Sequence, residues 1–264
     1  MRNYYYLAIS LPELDLNARP LISFQQLMDE MRMNLAASDL KQIEQLQLYN
    51  DLVTLENSLM GEPPDSRSSL TALELKEAIK LQEHFSDDVF EFFQRFPEIS
   101  DQVKNFPILY STYFSKSLWA HPKIAQMVAH ERQFRLFVLG YRTIRYQRSV
   151  DHEFRFEDLT DQDVEMILSD NPAATLLDEV RLRRLKEQLD HAQSAIEVRR
   201  YLAAFRLAYY QEILNFHPFD LIGLIAYMMQ LSIIEDLQVN NPQKGLEIFQ
   251  YILKEEHEHS NPSN

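Results

Sequence analysis

The side chains here with the most chemical potential are eight histidines, forty acids and a run of arginines, and their spacing decides what each could do. His130-Glu131 begins like the helical zinc-protease motif, in which a second histidine four residues on lies one turn along the same face. Phe134 occupies that position. A di-iron helical bundle needs two Glu-x-x-His pairs on different helices plus two further glutamates. The single pair here is Glu256-x-x-His259, beside His257 in an acidic tail that reads as solvated surface. The remaining histidines are scattered singly, and His217 before Pro218 suits the capping or packing of a helix start. These patterns assign no catalytic residue, no cofactor-binding residue and no metal ligand.

Phosphate-binding loops fail on glycine alone. The chain has 4 glycines, and the closest two, Gly223 and Gly245, are 22 residues apart. The dinucleotide fingerprint and the P-loop need glycines within about six residues, and a nucleophile elbow needs them closer still. With no cysteine there is no disulfide framework, thiolate nucleophile or thiolate metal site.

The arginines carry a better signal. Arg132, Arg135, Arg142, Arg145 and Arg148 follow one another with no acid between them, in a chain whose net charge is −14. Arg142, Arg145 and Arg148 recur every three residues, along one helix flank. Two roles fit them: pairing with the protein's own carboxylates, or meeting an acidic surface of another protein. The planar guanidinium fork serves either. A nucleic-acid partner is not expected, because the overall charge repels polyanions and no aromatic-basic module accompanies the stripe. Aromatic residues are also dense. Phe90, Phe92, Phe93 and Phe96 cannot all face one side of a helix, so part of that cluster must meet another helix or another protein.

The elements that position these groups read as helices. Hydrophobic residues make up 45% of the chain and charged ones 25%, enough for a core and a polar surface. Ser23-x-x-Gln26 is a capping-box pattern opening a helix to about Leu35, Ser38 suits the cap of a second, and Gly61 suits its C-terminal cap. Further helices are predicted over Leu70–Glu83, from Ser86 to Phe96, and from Pro122 to about Val150. Others begin at Asn171-Pro172, Ser194-x-x-Glu197, His217-Pro218-Phe219-Asp220 and Asn241-Pro242. Tyr4 to Leu11, apolar on both faces, reads as a short buried strand or an extended leader. The fold class is therefore all-α, a multi-helix bundle with a short N-terminal strand. It forms one unit over 1–264, with candidate lobe boundaries at the serine- and proline-rich 61–69 and the polar 151–160. No fixed-period repeat is present. The apolar run Leu221 to Ile234 falls short of the roughly 20 residues a bilayer span requires, and the N-terminus does not read as a signal peptide. A cytoplasmic protein is expected.

Two segments together resemble a bacterial family associated with V-type ATPases. They are Tyr4-Tyr5-Tyr6-Leu7-Ala8-Ile9-Ser10-Leu11-Pro12 and the stretch from Phe216-His217-Pro218-Phe219-Asp220 through Ala226-Tyr227 to Leu231, continued by Ile233-Ile234-Glu235 and Gly245-x-x-x-Phe249. That family is similar to the helical funnel that sits between the central stalk and the proteolipid ring of these ATPases. The resemblance implies a non-catalytic, cytoplasmic component held at the membrane periphery, linking ATP turnover to ion transport without touching ATP. Its partners would be the central-stalk subunits and the proteolipid ring. Arg132, Arg135, Arg142, Arg145 and Arg148 would then meet acidic residues of the stalk. Phe216 and Phe219 would be core or a ring-facing contact. The reading from a different class is a free-standing helical adaptor or assembly factor.

Overall fold

Capping chemistry sets where several of the helices begin. In a computed structural model of the chain, residues 2–115, 119, 121–158, 161, 164–165 and 179–239 are described. Among them are twelve helices and no strand. They are α1 (Tyr5–Ser10), α2 (Phe24–Asn34), α3 (Ala37–Met60), α4 (Ala72–Leu81), α5 (Asp87–Arg95), α6 (Ile99–Asn105), α7 (Pro107–Ser115), α8 (Pro122–Arg145), α9 (Val150–Glu153), α10 (Glu179–His191), α11 (Ala195–Phe216) and α12 (Leu221–Val239).

The box at Ser23 forms, with Gln26 N donating to Ser23 Oγ at 3.2 Å and Ser23 N to Gln26 Oε1 at 2.8 Å. Thr71 and Glu74 make a second box at α4, and Ser194 Oγ accepts from Glu197 N at α11. Gly61 closes α3 in the left-handed region (φ 75°) and returns its N–H to Asn57 O. Pro122 stands at the first turn of α8, where its missing N–H has no intrahelical partner to lose.

Two of these helix-by-helix expectations change. Tyr4–Leu11 is not a strand: Asn3 Oδ1 accepts from Tyr5 N at 2.9 Å, Ala8 N donates to Tyr4 O, and the segment winds into α1. A strand needs a neighbour along its length, and here the ladder stops at one isolated bridge between Asn3 and Asp220. Ser38 does not cap α3, because the helix starts two residues earlier than that cap would set it, with Ala36 at the cap; the Ser38 hydroxyl instead donates to Asp39. Ser86 takes the cap position of α5, but its hydroxyl reaches the Asp88 carboxylate instead of a backbone N–H. The starts at Asn171-Pro172 and Asn241-Pro242, Gly245 with Phe249, and Glu256, His257 and His259 lie outside the described residues.

The chain divides into two compact units, 1–30 with 188–264, and 31–187. The divisions fall inside α2 and α10, and both 61–69 and 151–160 lie within the second unit.

In the first unit α11 and α12 form a hairpin, packed along their lengths. Leu221 to Met228 are buried at every position. By length and composition alone Leu221–Gln238 could cross a membrane, but 67% of that stretch is buried in the protein. The N-terminal segment is tied to α12 by three polar contacts. Tyr227 OH donates to Pro12 O at 2.7 Å, Gln238 Nε2 to Ala18 O at 2.9 Å, and Phe24 N to Glu235 Oε1 at 2.9 Å.

In the second unit α3 packs on α4, α6 and α7, α5 on α7, and α7 on α8. Leu52, Leu55, Leu75, Val89, Phe92, Phe106 and Leu109 form the core there, with Phe93 and Phe96 half-buried against it. Phe90 is buried as well. The phenylalanine cluster is thus absorbed within the unit.

Candidate protein-binding surface on α8

The five arginines separate into two groups. Arg132 Nη2 lies 2.9 Å from Asp161 Oδ2. Arg135 Nη1 lies 2.6 Å from Oε1 of Glu157, a side chain only 2% exposed, whose other oxygen accepts from Ser111 Oγ at 3.1 Å. The Arg135 guanidinium also stands 6.0 Å over the Phe114 ring. Arg148 Nη1 donates to Glu153 Oε1 at 3.1 Å and lies 5.8 Å over Tyr146. These three hold the second unit's own elements together. Arg142 and Arg145, in the last turn of α8, are exposed, and among the described residues neither side chain has an ion-pair partner.

The backbone explains the division. Thr143, between the two arginines, is buried and donates its hydroxyl to Leu139 O. Tyr146 N returns to Arg142 O, and Arg148 N reaches back to Thr143 O. The chain turns at Gln147 in the left-handed region (φ 50°), and α9 follows. The helix end is therefore fixed by hydrogen bonds while its surface stands open: Ile144 is 58% exposed and Tyr146 61%. Arginines in a last turn also complement the helix dipole, worth a few tenths of a kcal/mol up to about 1 kcal/mol at the surface.

Phe216 and Phe219 belong to the first unit. Phe219 packs its ring 4.9 Å from that of Tyr5 and accepts from Tyr4 N at 2.6 Å through its carbonyl. Phe216 is 80% exposed. Between them His217 Nδ1 meets Asp220 Oδ2 at 2.9 Å, and Asp220 Oδ1 accepts from the N–H groups of Ile222 and Gly223, capping α12.

Residue spacing does not single out a second polar centre, at Asp51. This aspartate on α3 is fully buried and accepts from Ser68 Oγ (2.7 Å), Ser69 N (2.6 Å), Ser69 Oγ (2.7 Å) and His84 Nε2 (2.8 Å). Burial alone would push its carboxyl up, but the hydrogen bonds from His84, Ser68 and Ser69 together outweigh it and hold the group below its ordinary value. Gln47, Asp51, Thr54 and Asn57 share one face of α3, and each meets the segment 63–69. That polar stripe at intervals of four and three is the available signal, and it reads naturally as a solvent face. Serine, histidine and aspartate together invite comparison with a hydrolase triad. A relay, however, needs the carboxylate on one ring nitrogen and the nucleophile on the other. Here Asp51 and Ser69 both lie on Nε2, at 2.8 and 3.5 Å, so the cluster fastens a loop and does not activate a hydroxyl.

His130 is buried within α8, as is Phe134 one turn on. Among the described residues no group of three or more His, Asp or Glu is placed to hold a metal ion.

The described residues define a helical protein whose buried polar groups organise loops and ion pairs, and whose α8 ends in an exposed basic and aromatic surface. Residues 1–259 match the family described as protein of unknown function (DUF2764), and the chain belongs to that family. No curated protein and no solved structure matches it. The resemblance to the stalk-to-ring funnel of V-type ATPases is thereby corrected: the matching family spans nearly the whole chain and carries no link to that funnel. There is also a physical reason why the motifs mislead. The Tyr4–Pro12 and Phe216–Leu231 segments pack on each other through Tyr5 and Phe219, Tyr4 and Phe219, and Tyr227 and Pro12. Their pattern encodes contacts within one unit, and such apolar patterns carry no partner's signature.

Proposed function

We propose that this chain is a non-catalytic helical component of a larger assembly, or an assembly factor, that works by binding other proteins, with the exposed end of α8 as a principal contact. The observation that carries the reading is the outward display of Arg142 and Arg145, beside exposed Tyr146, on a helix end held rigid from within. Arginine and tyrosine are enriched at protein interfaces because each combines a flat contact surface with a polar tip. Elsewhere the strong chemistry of the second unit is engaged internally, as at Asp51 and Glu157.

Rotary coupling between the central stalk and proteolipid ring of a V-type ATPase, with a cytoplasmic place at the membrane periphery, is one specific form of this proposal. It now rests on no family likeness and is tested by the same experiment. The tagged full-length chain is recovered from gently solubilised membranes, and co-purifying proteins are quantified. A partner in fixed stoichiometry, lost on Arg142→Glu with Arg145→Glu, supports the binding role. Stalk and ring proteins in that fraction would support the rotary form. Recovery of the chain alone, from every fraction, overturns the binding role.

A further inference from the structure

We infer that the flank of α8 formed by Arg142, Arg145 and Tyr146 docks an acidic amphipathic segment of another protein. Each arginine would clasp a carboxylate, and the Tyr146 ring would cover an adjacent apolar side chain. The inference rests on the binding role proposed above and names the partner's chemistry.

Spacing supports it first. Residues at i, i+3 and i+4 share one face of a helix, and Arg142, Arg145 and Tyr146 stand at those intervals at the end of α8. Arginines one turn apart match carboxylates one turn apart on a partner helix, and each guanidinium can bind a carboxylate through two parallel N–H bonds. The Tyr146 side chain is itself steadied, since the Arg148 guanidinium lies over its ring and is held by Glu153.

Charge supports it second. From Arg142 to Arg155 the chain carries four arginines against two carboxylates, Asp151 and Glu153, while the whole chain has net charge −14. Glu153 is mostly buried and already engaged by Arg148, with His152 Nδ1 3.8 Å away. An acidic partner is repelled by the molecule at large and steered to this local reversal, so both encounter rate and orientation follow from the field.

The same features favour a protein over a dense polyanion. Phosphate-backbone binding draws its strength from neutralising many phosphates, and the two arginines that have no ion-pair partner among the described residues supply too few. An exposed tyrosine edge beside them has more to gain from an apolar side chain than from a phosphate.

The test uses the full chain and a fluorescein-labelled synthetic helical peptide with glutamates one turn apart and leucines on the adjoining face. A glutamine-for-glutamate peptide, a heparin oligosaccharide and phosphatidylserine vesicles serve as competing probes. The glutamate peptide should bind in preference to all three and weaken steadily as salt is raised, because exposed charges are screened. The pair Arg142→Glu and Arg145→Glu should weaken it by about 10-fold or more, equivalent to about 1.4 kcal/mol. Tyr146→Ala should weaken it several-fold, and Arg199→Glu, at an exposed arginine of the first unit, should leave it unchanged. Circular dichroism of each variant checks that the helices persist. Equal binding of the glutamate and glutamine peptides overturns the inference, as does preference for heparin or vesicles. So does salt-sensitive self-association in sedimentation that the same variants abolish, which would make the occupant a second copy. If the peptide arm fails while the pull-down still yields a stoichiometric partner, only the acidic chemistry is overturned and the binding role stands.

Discussion

Gly223 lies so close to His217 that a Cβ built on it would sit 1.7 Å from the His217 carbonyl oxygen and 2.9 Å from its carbonyl carbon. The contact is the inside of the corner between α11 and α12. His217 N still donates to Ile213 O, Asp220 caps the next helix through Ile222 N and Gly223 N, and the chain reverses between them. The obstruction is backbone, which cannot swing aside as a side chain would.

Gly223→Ala should therefore destabilise the protein at the upper end of the overpacking range, by about 3 kcal/mol. Urea unfolding followed by circular dichroism would show it as a lowered midpoint with unchanged slope. Gly61→Ala serves as the contrast. There the added Cβ meets nothing within 4 Å, and the penalty comes from the left-handed backbone alone.

The Asp51 cluster predicts an acid-sensitive fold. Its carboxyl is held below the ordinary value of 3.8, so the ionised form contributes stability above that pH, and the contribution is lost as pH falls through the lower folded-state value. Asp51→Asn should lower stability at neutral pH by about 3 kcal/mol, since it leaves His84 and two serines facing a neutral amide. Stability measured between pH 6 and pH 3 should fall less steeply for the variant than for the parent. An identical slope for the two would refute the assignment.

Glu56 should act with the opposite sign. Burial raises its carboxyl, against a hydrogen bond from Tyr110 OH at 2.6 Å, and Glu62 adds to the rise. Its ionised form is thus less favourable in the fold than in the unfolded chain, and stability is lost as pH rises through the folded-state value. Glu56→Gln keeps an acceptor for Tyr110 and removes the charge, so it should raise the unfolding midpoint at pH 7 relative to its effect at pH 4.

The two groups of arginines can be separated by stability alone. Arg135→Ala leaves Glu157 buried without its cation and should cost about 3 kcal/mol. Arg142→Ala and Arg145→Ala should leave the urea midpoint nearly unchanged, because exposed side chains away from buried networks contribute little. A large loss at Arg142 or Arg145 would show that these arginines serve the fold.

Much of the helical architecture is legible from local chemistry. Ser23-x-x-Gln26, Ser194-x-x-Glu197, Gly61 and Pro122 mark helix ends by satisfying backbone groups within a few residues of themselves, so neighbours in sequence suffice to read them. Tyr4–Leu11 defeats that reading because a strand and a short helix of the same apolar residues differ only in what lies alongside, and among the described residues the bridge between the neighbouring Asn3 and Asp220 is the only strand-like pairing.

The all-α class, about half of the helix starts and the basic run on α8 can be read from local chemistry, since each follows from backbone capping, turn residues or spacing along one helix. Tertiary structure alone decided which charges remain available. Asp161, Glu157 and Glu153 are reached by Arg132, Arg135 and Arg148 from 29, 22 and 5 residues away, and Asp51 meets His84 across 33. Pairing over such separations depends on how the chain folds back on itself. A carboxylate buried beside a guanidinium has no mark in sequence that distinguishes it from one standing in water.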